Sequence, residues 1–310
     1  MGVLSVTLSG GEPMMNPYFL EFLRAAKKYD FYVNILSNLT LLNDDIIAAM
    51  KEGNVSSIQV SLYSMNPAHH DAITKLPGSF EKTKAAILKL IENNLPLHVS
   101  CPTMKANKDD YLGVLQWCNE HKIRAQTDYI MMAEYNHETE NLAHRLSVEE
   151  SGRVITSIME ADQDYQESIL APDFEERINS LQQNPERRLC GVGVSTCCMV
   201  ANGNIYPCTG WQEMVLGNLN QTSLKEIWDN SEKIQWLRGL KLKDMGEDEC
   251  CKCDKAAFCS PCMVRNANES PTGNPLEINR HFCAVAAKNK QIVLDWRKAK
   301  LKEMSSPVSR

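Results

Sequence analysis

Residues 3–13 read Val3-Leu4-Ser5-Val6-Thr7-Leu8-Ser9-Gly10-Gly11-Glu12-Pro13. Residues 3–8 alternate apolar and polar positions, the pattern of a strand. Two glycines then let the backbone come close to a ligand, and Glu12 places a carboxylate just beyond them, able to hold an ammonium group. Residues 18–29 follow, with Phe19, Phe22, Leu23 and Ala26 at helical spacing. A Gly-Gly-x-Pro stretch is equally an ordinary turn. It is not a phosphate loop, because it lacks that loop's Lys-Ser/Thr, nor a dinucleotide fingerprint, because it lacks the third glycine.

The alternation continues outward from this turn. Strands are expected at 31–36, 57–62, 97–103 and 125–131, and helices at 44–52, 80–93, 110–121 and from Ser147 through 159. Repeated strand–helix units imply a parallel sheet, because parallel neighbours need a crossover that a helix supplies. The pattern leaves open whether the sheet is open or part of a barrel. Residues 161–189 are polar and read as an irregular linker between a unit over 1–160 and a cysteine-rich unit over 190–310. In that second unit, Ser223-Leu224-Lys225-Glu226 is a capping box for one helix through Leu240. Asn274-Pro275-Leu276-Glu277 is expected to start the last helix. His69 and His70 follow Pro67 at a helix start, at least one of them exposed. Trp228 and Trp236 read as core.

A formal net charge of −6 over 310 residues gives no general pull toward nucleic acid or anionic lipid. The basic end (Arg297, Lys298, Lys300, Lys302) reads as a solvated helix face. The first residues lack the basic region of a signal peptide, and no apolar run approaches the ~20 residues of a membrane span. A cytoplasmic protein without membrane or nucleic-acid partners is the expectation.

Twelve cysteines stand out, ten of them between 190 and 283. Without a secretion signal, metal ligation is favoured over disulfides. Cys101 and Cys118 suit plain buried thiols. Asn202-Gly203 signals a hairpin with a two-residue turn. That turn would put Cys197 directly opposite Cys208, with Cys198 facing away, making Cys197 the better ligand. A second group is Cys250-x2-Cys253-x5-Cys259-x2-Cys262, with Cys283 beyond it; Cys251 reads as a spare. Zinc and iron–sulfur clusters both favour such thiolates.

Taken together, these motifs resemble the radical S-adenosylmethionine (SAM) enzymes with a C-terminal SPASM domain. Ser9-Gly10-Gly11-Glu12-Pro13 after a strand is similar to that family's Gly-Gly-Glu segment, which contacts the SAM amino group. Ser37-Asn38 is similar to its Thr-Asn-Gly near the ribose, although Leu39 replaces the glycine. Ser61 sits where the family places a polar SAM contact. Gly203 to Cys208 supplies the SPASM Gly-x4-Cys. The resemblance implies one four-iron cluster on Cys190, Cys197, Cys208 and Cys262, and another on Cys250, Cys253, Cys259 and Cys283. It further implies a partial (β/α) barrel without its first strand, followed by an α+β SPASM domain with a β-hairpin.

The resemblance also implies chemistry: SAM-derived radical abstraction of hydrogen from a ribosomal peptide or a protein, giving a thioether or carbon–carbon cross-link. A flavodoxin- or ferredoxin-like protein would supply electrons. Sulfatase-maturing members carry Asp after the Gly-x4-Cys cysteine; Thr209 stands here, which favours cross-linking over formylglycine formation. The family's Cys-x3-Cys-x2-Cys triplet, which binds a third four-iron cluster, does not occur in these residues. An N-terminally truncated form, unable to cleave SAM alone and with one sheet edge uncovered, is therefore expected. The alternatives are a non-catalytic zinc-binding or peptide-binding module.

Overall fold

The computed structural model describes residues 2–182 and 184–305. They divide into one unit up to Ile130 and another from Met131.

The first unit runs β1 (Ser5–Leu8), α1 (Phe19–Lys28), β2 (Tyr32–Ser37), α2 (Asp44–Glu52), β3 (Val55–Ser61), α3 (Pro67–Thr74), α4 (Ser79–Glu92), β4 (Leu97–Pro102), α5 (Tyr111–Glu120) and β5 (Arg124–Asp128). All five strands are parallel and lie in the order β1-β2-β3-β4-β5. Right-handed crossovers between strands added always on the same side leave the helices on one face. The order never reverses, as a doubly wound sheet's would. The sheet is thus a stretch of barrel wall, which periodicity alone left open.

Val33, Ile35, Ile58, Val60, Val99 and Cys101 are fully buried along the strands. Leu23, Met50, Ile87 and Val114 of the helices are buried too, each such side chain contributing about 1.5–3 kcal/mol. Phe22 is not part of this layer; it lies outside α1's buried stripe and is 46% exposed. At the start of α2, the Asn43 side chain accepts the Ile46 N–H. The N-cap of α4 is Gly78, which has no side chain to offer. Asp71 of α3 substitutes for it, accepting from the N–H groups of Gly78 and Phe80 and from the Ser79 hydroxyl. The edge expected to be uncovered is β1, which pairs on one side only among the described residues, with Leu4 74% exposed.

The second unit holds α6 (Val148–Ala161), α7 (Gln163–Leu170), α8 (Phe174–Gln182), β6 (Cys198–Met199), β7 (Asn204–Tyr206), β8 (Gly217–Asn218), α9 (Leu224–Asn230), α10 (Glu232–Gly239), α11 (Met263–Glu269) and α12 (Arg280–Ser305). Several sequence expectations are corrected here. The stretch expected to be irregular is largely helical, as α7 and α8. Two apolar anchors, Ile169 and Phe174, suffice to dock these polar helices against Met159 and Val293. The single helix expected over 223–240 is broken at Ser231, whose backbone is extended. The break lets Ile227 and Ile234 reach one core with Ile205 and Leu216. Trp228 packs on that core, whereas Trp236 is 43% exposed.

Asn274 does not start the last helix. Its side chain accepts the Leu276 N–H and its carbonyl the Glu277 N–H, closing a separate turn before α12. Arg297 is not part of a solvated face: its Nε donates to the Ile169 carbonyl and its guanidinium lies over Phe174. Among the described residues, no helix is long and apolar enough to cross a membrane.

Candidate functional site: a glycine-lined cavity and two groups of thiols

A cavity of about 390 Å³ opens at the carboxyl ends of β1, β2 and β3, within the ~300–1,000 Å³ usual for small-ligand sites. That end of a parallel sheet is where ligands bind, because the loops leaving the strands converge there. Ser9, Gly10 and Gly11 line it from β1, Ser37, Asn38 and Thr40 from β2, and Gln59, Ser61 and Tyr63 from β3. Gly10 has φ +131°, which disfavours any side chain. Gly11 has no such constraint. A Cβ on either glycine would meet nothing within 4 Å, so the space they leave opens onto the cavity rather than onto packed protein.

Glu12 anchors this end of the sheet. Its Oε1 accepts from the Met14 N–H (3.1 Å) and the Ser37 hydroxyl (2.8 Å), and its Oε2 from the Asn38 N–H (2.9 Å). Three donors leave about one of a carboxylate's four acceptor positions for a ligand cation. The Ser37 oxygen in turn accepts the Leu39 N–H at 2.8 Å. Asn38 is held at both ends: its Oδ1 accepts from Thr40, and its carbonyl from the Thr83 hydroxyl. Leu39, standing where the family has glycine, adopts a left-handed φ of 59° and is 1% exposed. Left-handed backbone costs a branched residue roughly 1–2 kcal/mol, which its burial offsets.

His70 and Gln59 also line the cavity, although neither is among the residues singled out from the sequence as site residues. His70 is 1% exposed and its Nδ1 accepts the Tyr63 N–H, so a neutral ring would carry its proton on Nε2. Burial lowers its pKa, with the Asp71 carboxylate partly opposing. Gln59 meets His98, its Oε1 3.2 Å from Nε2. Neither had a local signal beyond strand alternation or the helix start. His69, by contrast, is exposed and pairs with Asp110 at 2.8 Å, so the expectation of one exposed histidine holds.

In the second unit the thiols fall into groups. Burial, then Cys283, Cys253 and Cys259, push the Cys250 thiol up to about 11. Cys259 is raised by burial and then by Cys283, with Cys253 adding. Cys283 is raised by burial, with Cys253 adding. Each of these four is thus within electrostatic reach of the other three. Cys208 is raised by burial, with Cys262 and Cys190 adding. Cys262 is thus an electrostatic neighbour of Cys208. Among the described residues, no three such side chains converge on the distances of a single metal ion. No disulfide joins any of the twelve cysteines, and Cys101 and Cys118 are fully buried, their pKa raised to about 12 by burial.

The hairpin register differs from expectation. Cys198 pairs with Tyr206 and Met199 with Ile205, while the Val200 N–H bonds the Asn204 carbonyl. Three residues, Ala201 to Gly203, form the loop, with Gly203 left-handed at φ 86°. This is the turn-plus-bulge alternative to a two-residue turn, and it shifts the register by one. Cys197 therefore does not face Cys208. It packs instead on the Ile205, Leu216, Ile227 and Ile234 core. The ladder ends at Tyr206, and residues 207–208 form a bend, so strand alternation does not carry as far as Cys208.

These thiols fit an iron–sulfur group by chemistry. They are soft donors, half-buried apart from the exposed Cys190, and two cations draw toward one of the groups. Arg265 and Arg187 both pull the Cys259 thiol back down, and the Arg187 Nε is buried with no partner in the structure.

Comparison with known proteins agrees with this arrangement. Residues 1–118 match the Radical SAM superfamily, and residues 190–255 match SPASM, an iron–sulfur cluster-binding domain. The chain is 23% identical to an AdoMet-dependent heme synthase of Methanosarcina barkeri, over 87% of this chain and 79% of that protein. It is 23% identical to a PqqA peptide cyclase of Gluconobacter oxydans, over 82% of this chain and 70% of that one. Its fold is similar to that of native anSMEcpe with bound AdoMet and Cp18Cys peptide, with a TM-score of 0.66 at 17% identity, over 98% of this chain and 87% of that one. Streptococcus suis SuiB bound to S-adenosylmethionine gives a TM-score of 0.62 at 15% identity, over 88% and 66%. The glycine-lined cavity thus lies in the unit that contains the Radical SAM match, and the grouped thiols lie in and just after the SPASM match: the chain carries a Radical SAM domain followed in sequence by a SPASM domain.

Proposed function

We propose that the chain is the SAM-binding and auxiliary-cluster part of a maturase that modifies a ribosomal peptide or a protein. The observation that carries this reading is the grouping of Cys250, Cys253, Cys259 and Cys283, each an electrostatic neighbour of the others. Those four would hold one four-iron cluster. Cys190, Cys208 and Cys262 would hold a second, with a fourth thiolate from the hairpin. The resemblance gives Cys197; because Cys197 packs on an apolar core, Cys198 is the hairpin thiol left to serve. Raised thiol pKa values mean that loading the clusters releases protons.

SAM would occupy the cavity at the ends of β1–β3. Gly10 and Gly11 let it approach the backbone, the remaining acceptor of Glu12 takes its ammonium group, and Ser37, Asn38 and Ser61 line its bed. Bound there, SAM would supply radical hydrogen-abstraction chemistry. The protein's part is to orient the cofactor and exclude water. The electron source would be a flavodoxin- or ferredoxin-like protein. The 310 residues lack a Cys-x3-Cys-x2-Cys triplet, so by themselves they would bind SAM without cleaving it.

The test is iron, sulfide and zinc content with an absorption spectrum after anaerobic reconstitution, followed by incubation with SAM and dithionite. The expected result is about eight iron per chain with matching sulfide, SAM bound, and no 5′-deoxyadenosine. About two zinc per chain and no colour would replace the reading with a structural binding module. Radical products from the chain alone would overturn the claim that it cannot cleave SAM. With a SAM-cleaving cluster supplied, turnover of a tetrapyrrole and not of peptides would move the substrate toward that of the heme synthases.

A further inference from the structure

Arg265 is a buried cation without an anion. It lies on α11, is only 6% exposed, and no carboxylate pairs with it among the described residues. The acid one turn on, Glu269, is taken by Arg145 at 2.8 Å. A buried charge left in this state is costly, so the fold must supply a compensating negative charge.

Its surroundings show where. The Arg265 Nη2 donates to the carbonyl of Ser260, the residue directly after Cys259. Its guanidinium carbon lies over the ring of Phe282, the residue directly before Cys283, at 3.9 Å from the centroid. The cation is therefore fixed between the two chain segments that bring Cys259 and Cys283 together. Four thiolates carry more negative charge than an iron–sulfide core carries positive, and reduction by one electron adds another.

We propose that Arg265 is the fixed countercharge of the cluster held by Cys250, Cys253, Cys259 and Cys283, and that it raises this cluster's reduction potential. The inference rests on the cluster reading given above. A nearby cation stabilises the reduced, more negative state more than the oxidised one, and it acts more strongly where burial excludes solvent. The packing on Phe282 and the bond to Ser260 fix its distance, which makes Arg265 a positioning and tuning residue that does not itself ligate iron.

The experiment is an EPR-monitored redox titration of reconstituted wild type, R265Q and R265K, with iron measured on each. C259A identifies the signal of this cluster by removing it; C208A identifies the other. The expected outcome is that R265Q keeps its iron. At a fixed potential, the ratio of reduced to oxidised form at this cluster falls about tenfold, equal to about 59 mV for one electron. The other cluster stays where it was, and R265K restores most of the shift. An unchanged potential in iron-replete R265Q overturns the proposal. If R265Q loses this cluster and R265K restores it, the charge role stands. If neither variant holds iron, Arg265 is a structural fork and the proposal falls. Wild type that binds no iron would remove the cluster reading itself, a failure seen before any variant is compared.

Discussion

The two units differ in what holds them. The first buries long apolar strands under helices, with Val33, Ile35, Ile58 and Val60 inaccessible to solvent. The second has strands of two or three residues, short helical turns over 242–258, and thiols packed at the margin of a small apolar cluster that includes Leu189, Trp211, Leu240 and Met263. Burial of apolar surface explains the first. The second divides its apolar residues among small clusters, and where such a fold binds metal the free energy of binding is folding free energy.

The largest effect expected from this contrast follows from removing a thiol. Cys259→Ala should lose about four of eight irons and open residues 246–283 to limited proteolysis, while the first unit keeps its protection. Equal proteolysis of both units would show that the contrast is wrong. Iron also sharpens the hairpin. Cys198→Ala should lose iron and Cys197→Ala should not, because the observed register turns Cys197 into the apolar core. The reverse result would restore the two-residue turn.

Next comes the core of the first unit. Ile58→Ala should cost about 2–5 kcal/mol in urea denaturation without changing iron content. Ser37→Ala is smaller, about 1–2 kcal/mol, since it leaves Glu12 without the hydroxyl donor and the Leu39 N–H without its acceptor. Gly11→Ala should leave stability within error, because its Cβ meets nothing, yet weaken SAM binding measured by calorimetry. Unchanged affinity in Gly11→Ala would move SAM away from this turn.

The smallest expected effect is on pH. Burial holds the folded pKa of His70 below its ordinary value of 6.5. The unfolded chain therefore takes the proton first. The stability involved is complete above pH 6.5 and declines as pH falls through that value toward the folded one. His70→Gln should flatten part of that slope in denaturation measured across the range, and a parallel slope would show that His70 carries none of it.

The sequence by itself determined the strand–helix alternation of the first unit. Both periods, two and 3.6, are local properties of a chain with one face buried. The helix over 44–52 could be placed to the residue because Asn43 and Gly53 mark its ends. It also announced thiol chemistry through cysteines too clustered for packing alone. Tertiary structure alone decided the rest. One inserted loop residue set the hairpin register, because side-chain facing changes with every residue. Ser231 broke a helix whose capping signal was sound, since two isoleucines had to reach one core. Asp71 capped α4 from another helix, which no local pattern announces. The partnership of Cys262 with Cys208, and the fixing of Arg265 between Ser260 and Phe282, join residues far apart in the chain. Such contacts depend on how elements pack in space, and neither spacing nor composition encodes that directly.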